Sequence, residues 1–332
     1  MKHRSNIVIG VMRGGPSAEY EVSLKTGANV LSALRENDRY KVRDIFIDRA
    51  GRWHIDGLER SPERVLPHLD VVFNALHGTY GEDGRVQQII DAYNVPYTGS
   101  KSLPSALGMN KWLSKKIFRD HKLTTPRGMV FDKKQSIGES TIHSLVKDFG
   151  GIVVVKPLSA GSSVGVSVVR APSEFSSALN SAFEHSEKAL VEEYIAGREA
   201  TVATLEGSEP GALHALPPIE VRNKSANAES AGFWDYESKY SDDLHELICP
   251  GNFSPEERFA LEDAAIRAHK ALGLSHYSRS DFILNPRGIF ILETNSLPGL
   301  TSTSLVPVAL KAAGVHFHEF LDHVIDLVML KR

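Results

Sequence analysis

The chain has 332 residues, enough for two or three domains or subdomains, and its 42% apolar and 24% charged side chains are the balance of a water-soluble globular protein. A net charge of −3 without a long basic run argues against a nucleic-acid partner, and no stretch approaches the ~18 apolar residues of a membrane span. The one cysteine, Cys249, excludes an intramolecular disulfide and a multi-cysteine metal site, and it fits a reducing, cytoplasmic setting.

Asn6–Met12 reads as a buried first strand rather than a signal peptide, because the apolar stretch before Arg13 is too short. Gly14–Ser17 follows as a loop, and Leu24, Ala28, Leu31 and Leu34 then recur at helical spacing. Val42–Ile47 and Val71–Leu76 read as further strands, and a helix from Arg85 to Tyr93 precedes a short strand at Val95–Thr98. This alternation implies a small parallel α/β sheet over the first hundred residues. Ligands of such sheets gather at the carboxyl ends of the strands, which places Gly14–Glu19 and His77–Asp83 on one rim. Taken singly, Glu19 could serve only a helix dipole and His77 only the core. Both on one rim favour a site.

Residues 109–118 (MNKWLSKKIF) predict a helix, and Ile152–Pro157 a strand that carries Lys156. The Gly/Ser loop 159–165 and a strand at Val166–Val169 come next. Such glycines permit close backbone approach and an anion-binding nest, although a plain hairpin turn explains them equally well. The order is strand–loop–strand and no GxxxxGK[ST] occurs, so this is not a P-loop. Ala189–Ile195 and Ala200–Leu205 read as strands. Residues 222–251 show neither period but contain Phe233, Trp234, Tyr236 and Tyr240, which suits a lid or binding loop; a disordered surface insertion is the alternative. Ser254–Leu272 reads as a helix capped by Ser254 with Pro255 at its first position, and another helix runs from about Phe317.

Between these helices lies the most informative stretch, 279–305. Two apolar segments, Asp281–Asn285 and Ile289–Asn295, flank Pro286-Arg287-Gly288 and predict a hairpin with a three-residue loop. Pairing Asn285 with Ile289 sets Asp281 opposite Glu293 and Arg279 opposite Asn295, on one face with Ile283 and Ile291. Phe282, Leu284, Phe290 and Leu292 then form the core face. Apposed carboxylates repel, whereas oxygen ligands from Asp281, Glu293 and Asn295 suit a hard cation such as Mg²⁺. A solvated face on which Arg279 neutralises one acid is the competing explanation. The turn at Pro298–Thr301 and the hydroxyls of Ser302–Ser304 favour a site.

Together these segments resemble the D-alanine–D-alanine ligase family of the ATP-grasp superfamily. The resemblance covers almost the whole chain: GGPSAEYEVSL (14–24), HGTYGEDGRVQ (77–87), MNKWLSK (109–115), KPLSAGSSVGV (156–166), VEEYIAGRE (191–199), DYESKY (235–240), RSD (279–281) and ETNSLPGLTSTSL (293–305). Departures are small, with Cys249-Pro250-Gly251 where the family usually has Pro-Ala, and Arg13 before the first Gly pair. The resemblance implies an N-terminal α/β domain (1–108) followed by two ATP-grasp α+β subdomains (109–195 and 196–332), the last with lid loop 222–251. It implies ATP held by Lys111, Lys156, Ser162, Ser163, Glu192, Glu193, Ile195, Glu199 and Lys239. Two Mg²⁺ ions, replaceable by Mn²⁺, would sit on Asp281, Glu293 and Asn295. The catalytic set would be Glu19, Ser162, Tyr240, Arg279 and Gly299, with D-alanine also touching His77, Ser304 and Leu305.

The implied reaction joins two D-alanines through an acyl phosphate, for peptidoglycan precursors, in a cytoplasmic homodimer. Two other readings stay open. One is an ATP-grasp ligase making a D-alanyl ester or another D-dipeptide; the other is a nucleotide-binding regulator without chemistry, against which the complete set of Glu19, Lys156, Arg279, Asp281, Glu293 and Asn295 argues.

With tyrosine rather than histidine at 240, the acceptor pocket gains no cation near neutral pH. D-alanine should therefore be strongly preferred over D-lactate, and Tyr240→His should shift the choice toward the ester at lower pH. Competition between the two acceptors from about pH 6 to about pH 9 measures this. Comparable ester yield from the unmodified chain at neutral pH would remove the tyrosine from the account.

Overall fold

Among the residues described by the computed structural model (6–135, 138–159, 161, 164–224 and 245–330), the strands form three sheets. The first is built from β1 (Ile7–Gly14), β2 (Tyr40–Ile47), β3 (Trp53–Ile55), β4 (Leu58–Glu59) and β5 (Val71–Asn74) in the order β4-β3-β2-β1-β5. β1 is parallel to both β2 and β5, while β3 and β4 add an antiparallel hairpin that the strand–helix alternation did not reveal. Helices α1 (Tyr20–Arg35), α2 (Pro62–Val65) and α3 (Arg85–Asp91) complete this unit. Val95–Thr98 is not a full strand. Only Val72 and Tyr97 bridge, and Pro96 has no N–H to extend the ladder.

The expected helix at 109–118 is α5 (Lys111–Asp120), and α4 (Ser102–Met109) precedes it. Asn110 between them is extended, and its side chain accepts from the Leu113 N–H, so an Asn N-cap starts α5 two residues later than expected. A second, all-antiparallel sheet has the order β6-β9-β7-β8, from β6 (Gly128–Asp132), β7 (Val153–Pro157), β8 (Ser167–Val169) and β9 (Lys188–Glu193). Helices α6 (Glu139–Asp148) and α7 (Phe175–Phe183) pack on it.

The third sheet, also antiparallel, runs β13-β12-β10-β14-β15, with β11 (Leu213–Ala215) paired to β10. Its strands are β10 (Arg198–Glu206), β12 (Ile219–Asn223), β13 (His245–Ile248), β14 (Tyr277–Asn285) and β15 (Gly288–Asn295). β12 and β13 pair from Glu220↔Ile248 to Asn223↔His245, so both ends of the expected loop 222–251 are strand. Residues 225–244 of that loop, with Lys239 and Tyr240, lie outside the described residues, as do Ser162 and Ser163. An edge strand as short as β13 carries no period of its own and exists because β12 pairs with it.

Helix α8 (Pro255–Leu272) covers one face of this sheet and forms an apolar cluster with Phe118 of α5. The helices α9 (Leu305–Ala312) and α10 (Phe317–Leu330) cross back onto the first sheet. Leu310, Leu321, Val324 and Ile325 share a core with Ile9, Val11, Val30 and Phe73, so the two ends of the chain are packed into one unit.

The hairpin β14–β15 departs from expectation in an instructive way. Asn285 pairs with Gly288, giving a two-residue Pro286-Arg287 turn, and Phe282 pairs with Ile291. A β-bulge between Asp281 and Phe282 then adds one residue, so that Asp281 meets Glu293 and Arg279 meets Asn295 after all. The buried face is accordingly Phe282, Leu284 and Ile291, whereas Ile283 and Phe290 pack with Ile195 and Leu292 on the other side. The expected assignment of Phe290 and Leu292 to the core face and of Ile283 and Ile291 to the polar face is corrected in part. The shorter turn reverses β15 between the turn and the bulge, and Ile283 joins an apolar floor.

The N-terminus of α8 carries a complete capping box, with Ser254 Oγ accepting from the Glu257 N–H at 3.2 Å and Glu257 Oε2 accepting from the Ser254 N–H at 2.9 Å. Ser254→Ala should cost about 1 kcal/mol of stability and Ser254→Gly a few tenths at most. Urea midpoints measure the difference; an alanine variant as stable as the parent would show that the cap contributes nothing.

Candidate active site

Strand alternation turns Lys156 of β7 and Glu192 of β9 into the seam between the second and third sheets, where Asp281 and Glu293 enter from the opposite side. Glu192 is 2% exposed and holds two ammonium groups, Lys156 Nζ at 2.5 Å and Lys115 Nζ at 2.8 Å. Lys111 lies one helical turn before Lys115 on α5, and its Nζ is 3.1 Å from Glu293 Oε2. Helix α5 therefore attaches to both sheets through lysines at positions i and i+4. Arg279 grips Asp281 in bidentate fashion, Nε to Oδ1 at 2.9 Å and Nη2 to Oδ2 at 2.8 Å. Asp281 also accepts from Thr201 Oγ1 at 2.6 Å and from Asn295 Nδ2 at 3.3 Å.

These pairs change the electrostatic picture drawn from the hairpin alone. Asp281 and Glu293 face each other, yet Arg279 and Lys111 each neutralise one of them, so the apposition is not a bare repulsion. Burial pulls Lys115 down to about 8 while Glu192 opposes the shift. Burial alone would raise Glu192, but Lys115 and Lys156 together hold it below the ordinary carboxylate range. Glu193, the next residue along β9, turns away from this cluster: its side chain accepts from the Arg127 N–H at 2.9 Å and meets Arg287 at 3.3 Å. Ile195, Glu199, Ile283 and Leu292 line the rest of the cleft. An apolar floor beneath a cationic rim with oxygen ligands opposite has the chemistry to take a nucleotide base, its polyphosphate and a hard divalent cation.

At the carboxyl ends of β1 and β5, the two expected motifs do meet. A Cβ built on Gly78 (φ +67°) would lie 2.5 Å from Glu19 Oε2, and one on Gly161 of the Gly/Ser loop 2.2 Å from the same atom. Glu19 thus sits in a slot that only glycine leaves open on both sides. His77 is buried, with Nδ1 2.9 Å from the Leu297 carbonyl and Nε2 2.8 Å from Thr26 Oγ1, and burial lowers its pKa. Both ring nitrogens are thereby engaged within the protein. The turn after β15 carries Gly299, and Ser304 folds back on it, its Oγ accepting from the Thr301 N–H at 3.1 Å. Ser304 precedes Leu305, the first residue of α9, so this segment presents a helix N-terminus.

Three buried residues of this region escaped the sequence reading. Lys115 was legible as the i+4 partner of Lys111, and Glu82 sits inside the HGTYGEDG segment, but Thr26 carried no signal in the sequence at all. Glu82 Oε1 accepts from the Gly78 N–H at 3.0 Å, while Oε2 accepts from the Leu297 N–H at 3.1 Å and from Ser296 Oγ at 3.3 Å. Burial, and next the Glu19 carboxylate, push Glu82 up to about 7.

Two family models match the chain, one described as the D-ala D-ala ligase N-terminus over residues 8–64 and 56–100, the other as the D-ala D-ala ligase C-terminus over 117–326. A relative named D-alanine–D-alanine ligase from Pelotomaculum thermopropionicum is 37% identical over 325 residues, covering 97% of this chain and 96% of its own. Among solved structures, the VanG D-Ala:D-Ser ligase from Enterococcus faecalis is similar with a TM-score of 0.82 at 31% identity, over 98% of this chain and 100% of that one. The Bacillus anthracis D-alanine–D-alanine ligase complexed with ATP gives 0.76 at 29% identity, over 98% and 97%.

A carboxyl group raised to about 7 keeps its proton in the folded state across a range where the unfolded chain, at its ordinary 4.5, has lost it. Glu82 therefore makes stability fall as pH rises from 4.5 to about 7. Glu82→Gln has no proton to lose, so its stability relative to the parent should improve across that window, by on the order of 1–3 kcal/mol. Urea unfolding at several pH values reads the difference; a constant difference would show that Glu82 titrates normally.

Proposed function

Because this chain belongs to the D-alanine–D-alanine ligase family, we infer that it is an ATP-dependent ligase joining two D-alanines into D-alanyl-D-alanine for peptidoglycan synthesis. The observation that carries the residue assignments is the convergence of Lys111, Lys115 and Lys156 with Asp281, Glu293 and Asn295 on one seam, beside the glycine slot of Glu19.

In the first step, the carboxylate of one D-alanine attacks the γ-phosphorus of ATP, ADP leaves, and an acyl phosphate forms. Glu19 would hold the ammonium of this D-alanine, and Arg279, oriented by its two bonds to Asp281, would hold its carboxyl group. Lys111 and Lys156 would contact the phosphates, with the backbone of Glu193 and Ile195 beside adenine and Glu199 beside ribose. Asp281, Glu293 and Asn295 fit two Mg²⁺ ions (or Mn²⁺), which supply charge neutralisation on the phosphate oxygens when bound. Lys111 would then exchange Glu293 for phosphate, since the carboxylate it holds is the one the metal takes.

In the second step, the amine of the other D-alanine, having lost one proton to solvent, attacks the acyl carbon; the C–O bond to phosphate breaks, and the surplus proton on nitrogen leaves with the departing inorganic phosphate. Arg279 and the Gly299 N–H would stabilise the tetrahedral oxyanion, the kind of preorganised donor that contributes most when water is excluded. Ser304, Leu305 and the N-terminus of α9 would receive the acceptor carboxylate. Ser162, Ser163, Lys239 and Tyr240 would close over the site. A homodimer in the cytoplasm, as the family resemblance implies, completes the proposal. No helix among the described residues is long and apolar enough to cross a membrane.

The VanG neighbour, named a D-Ala:D-Ser ligase, makes D-serine the one alternative acceptor with specific support. Phosphate release from ATP, with dipeptide identified by mass, should require D-alanine and should yield one dipeptide per phosphate. Offering D-serine and D-lactate beside it ranks the acceptors. Glu293→Gln should reduce turnover by about 100-fold or more. Ordinary turnover of that variant at limiting Mg²⁺ would sink the metal assignment.

A further inference from the structure

We infer that Thr26, His77 and Glu82 are positioning residues that aim the Gly299 N–H at the reacting acyl group, so that the N-terminal domain sets the geometry of the oxyanion donor. This rests on the role given above to Gly299. The segment Ser296–Leu300 leaves the third sheet at the end of β15 and descends onto the first, where Leu297 and Leu300 are buried among residues of α1, β1 and β5. The peptide groups of these two leucines are tied to side chains of the N-terminal domain.

Leu297 donates its N–H to Glu82 Oε2 at 3.1 Å, and its carbonyl accepts from His77 Nδ1 at 2.9 Å. Leu300 donates its N–H to Thr26 Oγ1 at 3.4 Å, and its carbonyl accepts from Asn29 Nδ2 at 2.7 Å. Pro298 and Gly299 are suspended between two anchored residues, and proline holds its own φ near −65°. Little freedom remains in the plane of the Gly299 peptide.

The direction of each bond follows from which atoms can donate. A carbonyl only accepts, so His77 carries its proton on Nδ1, facing Leu297. Burial keeps the ring neutral, so Nε2 accepts a hydrogen bond from the Thr26 hydroxyl at 2.8 Å. That leaves the Thr26 oxygen to accept from Leu300. The relay Leu300 N–H, Thr26, His77, Leu297 C=O spans the turn from its last residue to its first, and it requires a neutral imidazole. Glu82 extends the coupling. Its other oxygen accepts from the Gly78 N–H at 3.0 Å, on the wall of the slot that holds Glu19. One carboxyl group thus sets the wall beside the ammonium site against the turn beside the acyl carbon.

Buried backbone groups at any domain junction need partners, and the relay could be no more than that. The two roles differ in which chemical step they touch. Misaiming an oxyanion donor slows attack on the acyl phosphate and leaves formation of that acyl phosphate alone, whereas a weakened junction slows both together. In the full-length protein at saturating D-alanine, ATP labelled with ¹⁸O at the β,γ-bridge reports the first step by positional scrambling, and dipeptide release reports the whole reaction. Thr26→Val, which keeps the shape and removes the hydroxyl, should lower dipeptide release by about ten- to a hundredfold, short of the ~10²–10³-fold of deleting an oxyanion donor. The ratio of scrambling to dipeptide should rise by about tenfold or more, the KM for ATP should stay within about twofold, and Thr26→Ser should restore the parent ratio. Glu82→Gln, read by the same ratio, serves if the valine variant fails to fold. An unchanged ratio in the folded variants overturns the inference. Failure of the unmodified chain to make dipeptide would instead overturn the functional reading on which it stands.

Discussion

The structure depends on the way helix α5 pins two sheets together through its lysines. Lys115 reaches Glu192 in the second sheet and Lys111 reaches Glu293 in the third, while Lys156 and Arg279 complete the set. Burying ions costs several kcal/mol each unless partners compensate, and here Glu192, Glu293 and Asp281 each have at least one cation against them. In the proposed function a polyphosphate would take over part of the lysines' contacts, and a divalent cation would replace the lysine on Glu293.

The same economy governs the other half of the site. Glu19 stands between two glycines because any Cβ at 78 or 161 would collide with its carboxyl oxygens. Its neighbour Glu82 is kept protonated over a wider pH range by burial and by Glu19 itself. In the proposed function an ammonium group in the slot would answer Glu19 as the phosphates would answer the lysines, while the apolar patch of Ile195, Ile283 and Phe290 beside the cleft carries no charge.

How far the site was legible depends on the distance over which each residue acts. Asp281 opposite Glu293 was readable because both lie on one hairpin, yet it was reached through a turn one residue too long, and an unforeseen bulge restored the register. The faces of β15 between the turn and the bulge came out reversed for that reason, whereas Phe282 and Leu284 of β14 lie on the core face as expected, since a one-residue slip flips only the side chains of the slipped strand. His77 was legible as a rim residue from its place after a parallel strand, but its partners, Thr26 and Leu297, come from a helix and a turn far away in the chain. The β12–β13 pairing inside the expected loop was equally hidden, because the stability of an edge strand belongs to its neighbour.

The sequence by itself determined the α/β and α+β character, the family, and the chemical identity of the lysine, carboxylate and glycine motifs. Each of these is written in local periodicity or in short strings whose residue types already imply anion, cation or close backbone approach. Only the tertiary structure decided which lysine meets which carboxylate, that Glu82 and Thr26 belong to the site, and that the N-terminal domain grips the turn bearing Gly299. Those are contacts between side chains brought together by the packing of separate sheets. Their energies depend on burial and on geometry at the seam, and neither quantity exists until the sheets have met.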